Sequence, residues 1–211
     1  MIHRESGVLK TTYEADMALY PLPIARWTVA AIAAFMFLVL PLSVDEYWLS
    51  IVNIVSIATV GALGLNILVG YTGQISIGHG AFMSVGAYTA ANFAVRLGFP
   101  FWLSLPLGGL MAAAVGAVVG IPSLRIKGLY LAIATLAGQL IIEWTINHVT
   151  FISGGVQASI EVPRPELFGY KIASQRQMYF FLLIFVVLAL VATMNLVRSR
   201  IGRAFIAIRD H

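Results

Sequence analysis

One carboxylate, Glu143, lies inside an otherwise uncharged apolar run, Gly128 to Val149. Thr135, Gln139, Glu143 and Asn147 recur at a spacing of four, which sets them on one face of a helix. A carboxylate in hydrocarbon is costly and normally faces a bundle interior or water. At about 1.5 Å per residue from Gly128, Glu143 lies about 22 Å along such a helix. Two readings stay open: the stripe lines a polar pathway near its external mouth, or Glu143 is solvated at a headgroup interface beside Trp144.

A second cluster runs Asn66-Ile-Leu-Val-Gly-Tyr-Thr-Gly-Gln-Ile-Ser-Ile-Gly-His-Gly80. Gly70, Gly73, Gly78 and Gly80 fall among Gln74, Ser76 and His79. Each glycine weakens a helix by up to about 1 kcal/mol relative to alanine. Non-helical backbone at membrane depth is tolerated only where it is buried in protein or lines a wet cavity. The segment is therefore a broken helix on a translocation path or a cytoplasmic turn whose glycines allow close helix packing. Beyond it Gly80, Ser84, Tyr88 and Asn92 again share one face, toward a partner helix or a pore. The candidate path residues are Asn66, Gln74, Ser76, His79, Ser84, Tyr88, Gln139 and Glu143.

Two further patterns are mechanical. Gly108, Ala112, Gly116 and Gly120 repeat at four, and small residues at that spacing let two helices approach closely. Near the end, Ile201, Phe205 and Ile208 form an apolar stripe while Arg203 and Arg209 project elsewhere. The spacing predicts a short amphipathic helix that lies on anionic lipid or docks into a groove on a cytoplasmic protein.

Several chemistries are excluded. There is no cysteine, hence no disulfide or thiolate metal site. His3, His79, His148 and His211 show no metal-ligand spacing. Neither a P-loop nor a G-x-S-x-G nucleophile motif occurs. No catalytic residue, metal, cofactor or nucleic-acid partner is expected.

The elements that carry these residues follow from composition. Of 211 residues, 60% are hydrophobic and 10% charged, whereas soluble domains carry about 25% charge. So little polar surface fits a bilayer, not water. The expected fold is an all-α polytopic membrane bundle of about six spans, at 20 or so residues each. They cover roughly 27–44, 48–69, 74–95, 101–120, 128–149 and 178–197, the third broken by glycine and the fourth ended by Pro122. Residues 1–26 form a polar leading segment with no cleavage signal, 151–177 an external loop, and 198–211 the start of a cytoplasmic segment. With the N-terminus inside, cytoplasmic segments hold Arg4, Lys10, Arg26, Arg125, Lys127, Arg198, Arg200, Arg203 and Arg209; the others hold Arg96, Arg164, Lys171 and Arg176. That bias puts both termini inside, which requires an even number of spans.

Gly64-Leu-Asn-Ile-Leu-Val-Gly-Tyr-Thr-Gly-Gln-Ile-Ser-Ile-Gly-His-Gly-Ala-Phe-Met-Ser-Val-Gly-Ala-Tyr88 resembles the signature stretch of permeases of the branched-chain amino acid ABC transporter family. Leu124-Arg-Ile-Lys-Gly-Leu-Tyr-Leu-Ala-Ile-Ala-Thr-Leu136, Ser153-Gly-Gly155 and Ser199-Arg-Ile-Gly-Arg-Ala-Phe-Ile-Ala-Ile-Arg209 are similar to its LivM-type subunit. The likeness extends from about Trp48 to the end. It implies an inner-membrane permease that pairs with a second, homologous permease, is driven by two cytoplasmic ATP-binding subunits, and receives solute from a periplasmic binding protein. It also implies that Ile201, Arg203, Phe205, Ile208 and Arg209 begin the ATPase-coupling loop, and that Gln74 to His79 lies near the path. The sequence departs from the family where Glu143 replaces an acid expected near Gln139, and where Val156-Gln-Ala-Ser follows the glycine pair. Relatives also move urea, amides and aromatic acids, so the solute class stays open among these. Members run on past this point, so the chain is expected to stop within its coupling segment. Two other classes compete with an ABC permease: an ion-coupled transporter using Glu143, and a non-transporting membrane scaffold.

Overall fold

The computed structural model describes residues 23–123, 126, 128–154, 160–167 and 170–210. The leading segment up to residue 22, Arg125, Lys127, Gly155, Val156-Gln-Ala-Ser and His211 lie outside the described residues. The chain divides into two units, Met1–Val52 and Asn53–His211.

In the first unit, α1 (Pro23–Ala34) passes into a π-helical turn, Phe35–Val39, and then α2 (Leu40–Ser43). Pro41 stands two residues beyond the end of that turn, after Leu40. A proline lacks the amide for the helical ladder and its ring crowds the carbonyl four residues back. The wider π-turn, with Leu40 N donating to Phe35 O, inserts one residue where that conflict arises. Helix α3 (Glu46–Asn66) begins in this unit and continues into the second.

In the second unit, α3 widens into another π-turn, Ile67–Tyr71, and helix stops there. Backbone without helical pairing follows until α4 (His79–Arg96), so the third apolar helix begins later than the residue 74 expected from composition. Helix α5 (Phe101–Ser123) also extends beyond residue 120 and contains Pro122 in its last turn. Termination comes one residue later, where the Ser123 hydroxyl donates to Val119 O at 2.6 Å and Gly120 O at 3.0 Å. Gly128, at φ +63°, turns the chain into α6 (Leu129–His148), and α7 (Thr150–Ser153) follows. The loop beyond carries a two-residue antiparallel ladder, β1 (Glu166–Leu167) with β2 (Tyr170–Lys171). A Lys171–Glu166 ion pair at 3.0 Å spans that hairpin. Helices α8 (Gln175–Arg198) and α9 (Arg200–Asp210) complete the described chain.

Helix α8 starts at Ser174, whose hydroxyl accepts from Gln177 N at 3.2 Å while Gln177 Oε1 accepts from Ser174 N at 3.3 Å. This reciprocal capping box fixes the helix start. Ser174→Ala should lower stability by about 1 kcal/mol, read as a lower melting temperature in detergent with secondary structure unchanged. The side-chain amide of Asn53 ties the same turn to α3, donating to Gln175 O at 3.2 Å and Gln175 Oε1 at 3.1 Å.

Hydrophobic residues cover the outside of these helices. Val118 is 72% exposed, Leu110 67% and Ile141 66%. Among the described residues four helices, the longest with its π-turn being Glu46–Tyr71, are long and apolar enough to cross a membrane, and Trp27–Ser43 is a shorter apolar stretch. The fold is a polytopic helical membrane bundle. With lipid tails as apolar as the helices, association rests on close packing by small residues. The contacts follow that rule. A Cβ on Gly108 would lie 2.5 Å from Gly86 O and 3.0 Å from Ala90 Cβ, so α4 and α5 cross nearly backbone to backbone. Gly61 admits Met83 Sδ, and Gly64 faces His79 Nε2, which joins α3 to α4. The buried centre is small: Ala81, Ile142 and Ile146, flanked by Phe82, Val85, Tyr88, Val115, Val119 and Ile152.

Candidate functional site

The glycine break is held by four sets of contacts. At its start the ladder slips: Thr72 N donates to Ile67 O and Gln74 N to Leu68 O, each at 3.2 Å. The Thr72 hydroxyl also donates to Leu68 O at 2.5 Å. Gly73 then adopts φ +69°, a left-handed conformation that favours glycine. At the far end Ile77 N donates to Thr135 Oγ1 at 3.1 Å. Gly78 is buried, and a Cβ there would overlap the Thr135 carbonyl oxygen. From the other side, Arg209 Nη1 donates to Gly70 O at 3.2 Å. The break is thus irregular backbone pinned by α6 and by α9, with Gly78 buried while Gly73, Ile75 and Ile77 are exposed.

Beside it lies a cavity of about 400 Å³ whose walls include Gln74, Ser76, His79, Phe82, Gly120 and Thr135. A second cavity, about 530 Å³, lies at the opposite ends of α4 and α6 and includes Tyr88, Asn92, Arg96, Thr145 and Phe151. Both have mainly apolar walls with a few polar groups, the usual character of a small-molecule site. The apolar side chains of Val85, Val115 and Ile142 line the second cavity and belong to the buried cluster, as Phe82 and Val119 do on the side of the first. In the second cavity the Arg96 guanidinium sits 4.9 Å over the Phe151 ring. The Asn92 amide nitrogen donates to Tyr88 O at 2.7 Å and Ile152 O at 2.8 Å, while its Oδ1 is buried without a hydrogen-bond partner among the described residues.

The expected path residues separate on this geometry. Gln74, Ser76 and His79 share the first cavity, and Tyr88 lines the second. Asn66 and Ser84 line neither; Ser84 donates to Gly80 O in its own helix at 3.2 Å. Gln139 Nε2 donates to Glu143 Oε1 at 2.8 Å, so these two form a pair along α6 outside both cavities. Their stripe is split, because Thr135 turns to the break while Asn147 is exposed.

The small-residue stripe is split as well. Gly108 and Ala112 meet α4, whereas a Cβ on Gly116 would reach only the Phe82 ring, at 3.9 Å, and one on Gly120 nothing within 4 Å. Gly116 and Gly120 are also walls of the first cavity. Gly86, missed in the sequence, is the partner of Gly108. Thr135, Asn92 and Arg96 also carry more of these sites than their spacing indicated. Among the described residues no cluster of three His, Asp or Glu side chains is placed to hold a metal.

Helix α9 forms as expected over the amphipathic segment. Ile201 and Ile208 are exposed, Phe205 is half-buried, and Arg203 is exposed. The helix packs against α8 and against the π-turn that opens the break.

Residues 47–211 match the family described as branched-chain amino acid transport system / permease component. The chain is 35% identical to the high-affinity branched-chain amino acid transport system permease protein LivM of Escherichia coli strain K12, over 81% of this chain and 45% of that protein. The same identity and coverage hold for the LivM permease of Salmonella typhimurium strain LT2. The chain therefore spans less than half the length of these curated relatives. No solved structure matches it.

Proposed function

The chain belongs to the branched-chain amino acid transport permease family, and on that premise we propose that it is a permease subunit of an ABC importer for branched-chain amino acids. Components of this kind are non-catalytic membrane subunits. In the proposed assembly a second, homologous permease completes the path, and two cytoplasmic ATP-binding subunits supply the energy. A periplasmic binding protein delivers the solute, and the N-terminus faces the cytoplasm of a bacterial inner membrane. The observation that carries the reading is the packing of α9 on the glycine break. The amphipathic helix α9, which opens with Arg200 just after Arg198, offers Ile201, Phe205 and Ile208 to a groove on the ATPase. The same helix touches the segment that carries Gln74, Ser76 and His79 beside the cavity. Partner binding and solute path would meet within one short stretch of structure.

The test is reconstitution of the permease with its partner subunits in vesicles. Uptake of radiolabelled leucine should require internal ATP and persist when the proton gradient is collapsed. Competition by urea, short amides or phenylalanine would move the solute class to those relatives. Failure to associate with any P-loop ATPase would remove the reading.

Glu143→Gln separates this from ion-coupled transport. The carboxylate already has a neutral partner in Gln139 at 2.8 Å and lines neither cavity. ATP-driven uptake in the variant should stay within about twofold of the parent, the effect of a partly exposed polar substitution worth ~0.5 kcal/mol. Loss of uptake together with loss of an ion-gradient dependence would favour the ion-coupled alternative.

A further inference from the structure

We propose that Arg209 is a positioning residue that latches α9 to the glycine break, so that movement of α9 resets the conformation of residues 70–74. The inference rests on the reading of α9 as the segment that meets the ATPase.

The geometry has two fixed points. The first is the corner between α8 and α9. The Ser199 hydroxyl donates to Leu196 O at 2.7 Å and accepts from Ile201 N at 3.1 Å and Gly202 N at 3.4 Å. Gly202 is buried, and a Cβ there would overlap the Val197 carbonyl. The corner is therefore tight, and α9 leaves it in one direction. The second point is Arg209, near the other end of the 11-residue helix, about 15 Å away at the helical rise. There the guanidinium donates to Gly70 O across 139 positions of sequence.

The choice of acceptor has a physical reason. The last carbonyls of a helix lack amide partners. At this helix end Ile67 O and Leu68 O are taken by Thr72 and Gln74, and Gly70 O is taken by Arg209. A cation at a helix C-terminus also meets the negative end of the macrodipole. The aliphatic part of Arg209 packs on Gly73, with Cγ 2.7 Å from where a Cβ would stand. One side chain thus holds both the last carbonyl-bearing turn and the left-handed residue that redirects the chain toward Gln74. A shift of α9 cannot leave these two residues in place.

The test uses the permease in its native transporter complex, with leucine, ATP and a spin label on Tyr71→Cys, a position in the same stretch that lines neither cavity. Arg209→Ala should keep the ATPase bound and hydrolysing ATP while leucine moved per ATP falls about tenfold, the size expected for one charge-assisted hydrogen bond. The nucleotide-dependent change of the label should disappear. Arg209→Lys, which keeps charge and stem, should recover part of both signals. Gly73→Ala, which forces a Cβ onto the Arg209 stem, should reproduce the uncoupling. Normal stoichiometry and label response in Arg209→Ala would overturn the proposal, as would loss of the ATPase from that variant, which would make Arg209 a docking residue. A parent complex that neither binds an ATPase nor uses ATP would instead overturn the functional reading on which the proposal rests.

Discussion

Replacing Gly78 with alanine should destabilise the folded protein by about 2–4 kcal/mol, combining an overpacked contact with a lost hydrogen bond, and abolish uptake. The added Cβ would overlap the Thr135 carbonyl oxygen and stand 3.1 Å from the Thr135 carbonyl carbon. Both are backbone atoms of α6, so no flexible side chain swings aside. The break must lift away, and the hydrogen bond from Ile77 N to Thr135 Oγ1, now 3.1 Å, goes with it. Thr135→Val isolates the hydroxyl and should cost nearer 1 kcal/mol, the net worth of one such bond. Gly80→Ala is the control, since nothing lies within 4 Å of its Cβ position. It should be neutral or stabilising by up to about 1 kcal/mol, because alanine is the better helix former. Detergent melting curves and leucine uptake for the three variants decide the matter. A Gly78→Ala protein that melts and transports like the parent would show that the break does not dock on α6 as described.

The second large effect is expected at the crossing of α4 and α5. Gly108→Ala should lower stability by about 1–3 kcal/mol, the range for overpacking a well-filled contact. Its Cβ would stand 2.5 Å from Gly86 O and 3.4 Å from Ala90 N, both backbone atoms. In lipid that penalty is not recovered by hydrophobic burial elsewhere, since separated helices lose nothing by facing lipid tails. Gly120→Ala should leave melting within about 0.5 kcal/mol of the parent, as for a substitution that meets no neighbour. Gly116 and Gly120 line the first cavity, so bulk there should act on uptake before it acts on stability. Gly116→Val tests this, with a lower transport rate at an unchanged melting temperature as the expected result. Equal destabilisation by Gly108→Ala and Gly120→Ala would instead restore all four stripe positions to one packing face.

The contrast between Gly108 and Gly120 marks where the sequence stops being informative. Both sit on one stripe at one spacing, and periodicity cannot distinguish them. Only the position of α4 does so, and α4 reaches Gly108 through Gly86 and Ala90 while passing clear of Gly120. The stripe on α6 behaves in the same way. Thr135 and Glu143 are two turns apart on one face, yet the break docks on the first, and the second pairs with Gln139.

What the amino-acid order determined by itself is local and compositional. The shortage of charge and the long apolar runs fix a helical membrane protein, since a backbone in lipid must satisfy its own hydrogen bonds. Clustered glycines fix a break between residues 70 and 80, and the stripe of Ile201, Phe205 and Ile208 fixes an amphipathic helix at the end. Those patterns also carry the family likeness from about Trp48 onward, which the match over 47–211 bears out. The tertiary structure decided which of these pieces touch. It brought Thr135 to Ile77, Gly86 to Gly108, and Arg209 to Gly70 across 139 positions. Such contacts depend on how helices cross, and crossing is set by the sum of many small packing terms that no single stretch of sequence contains.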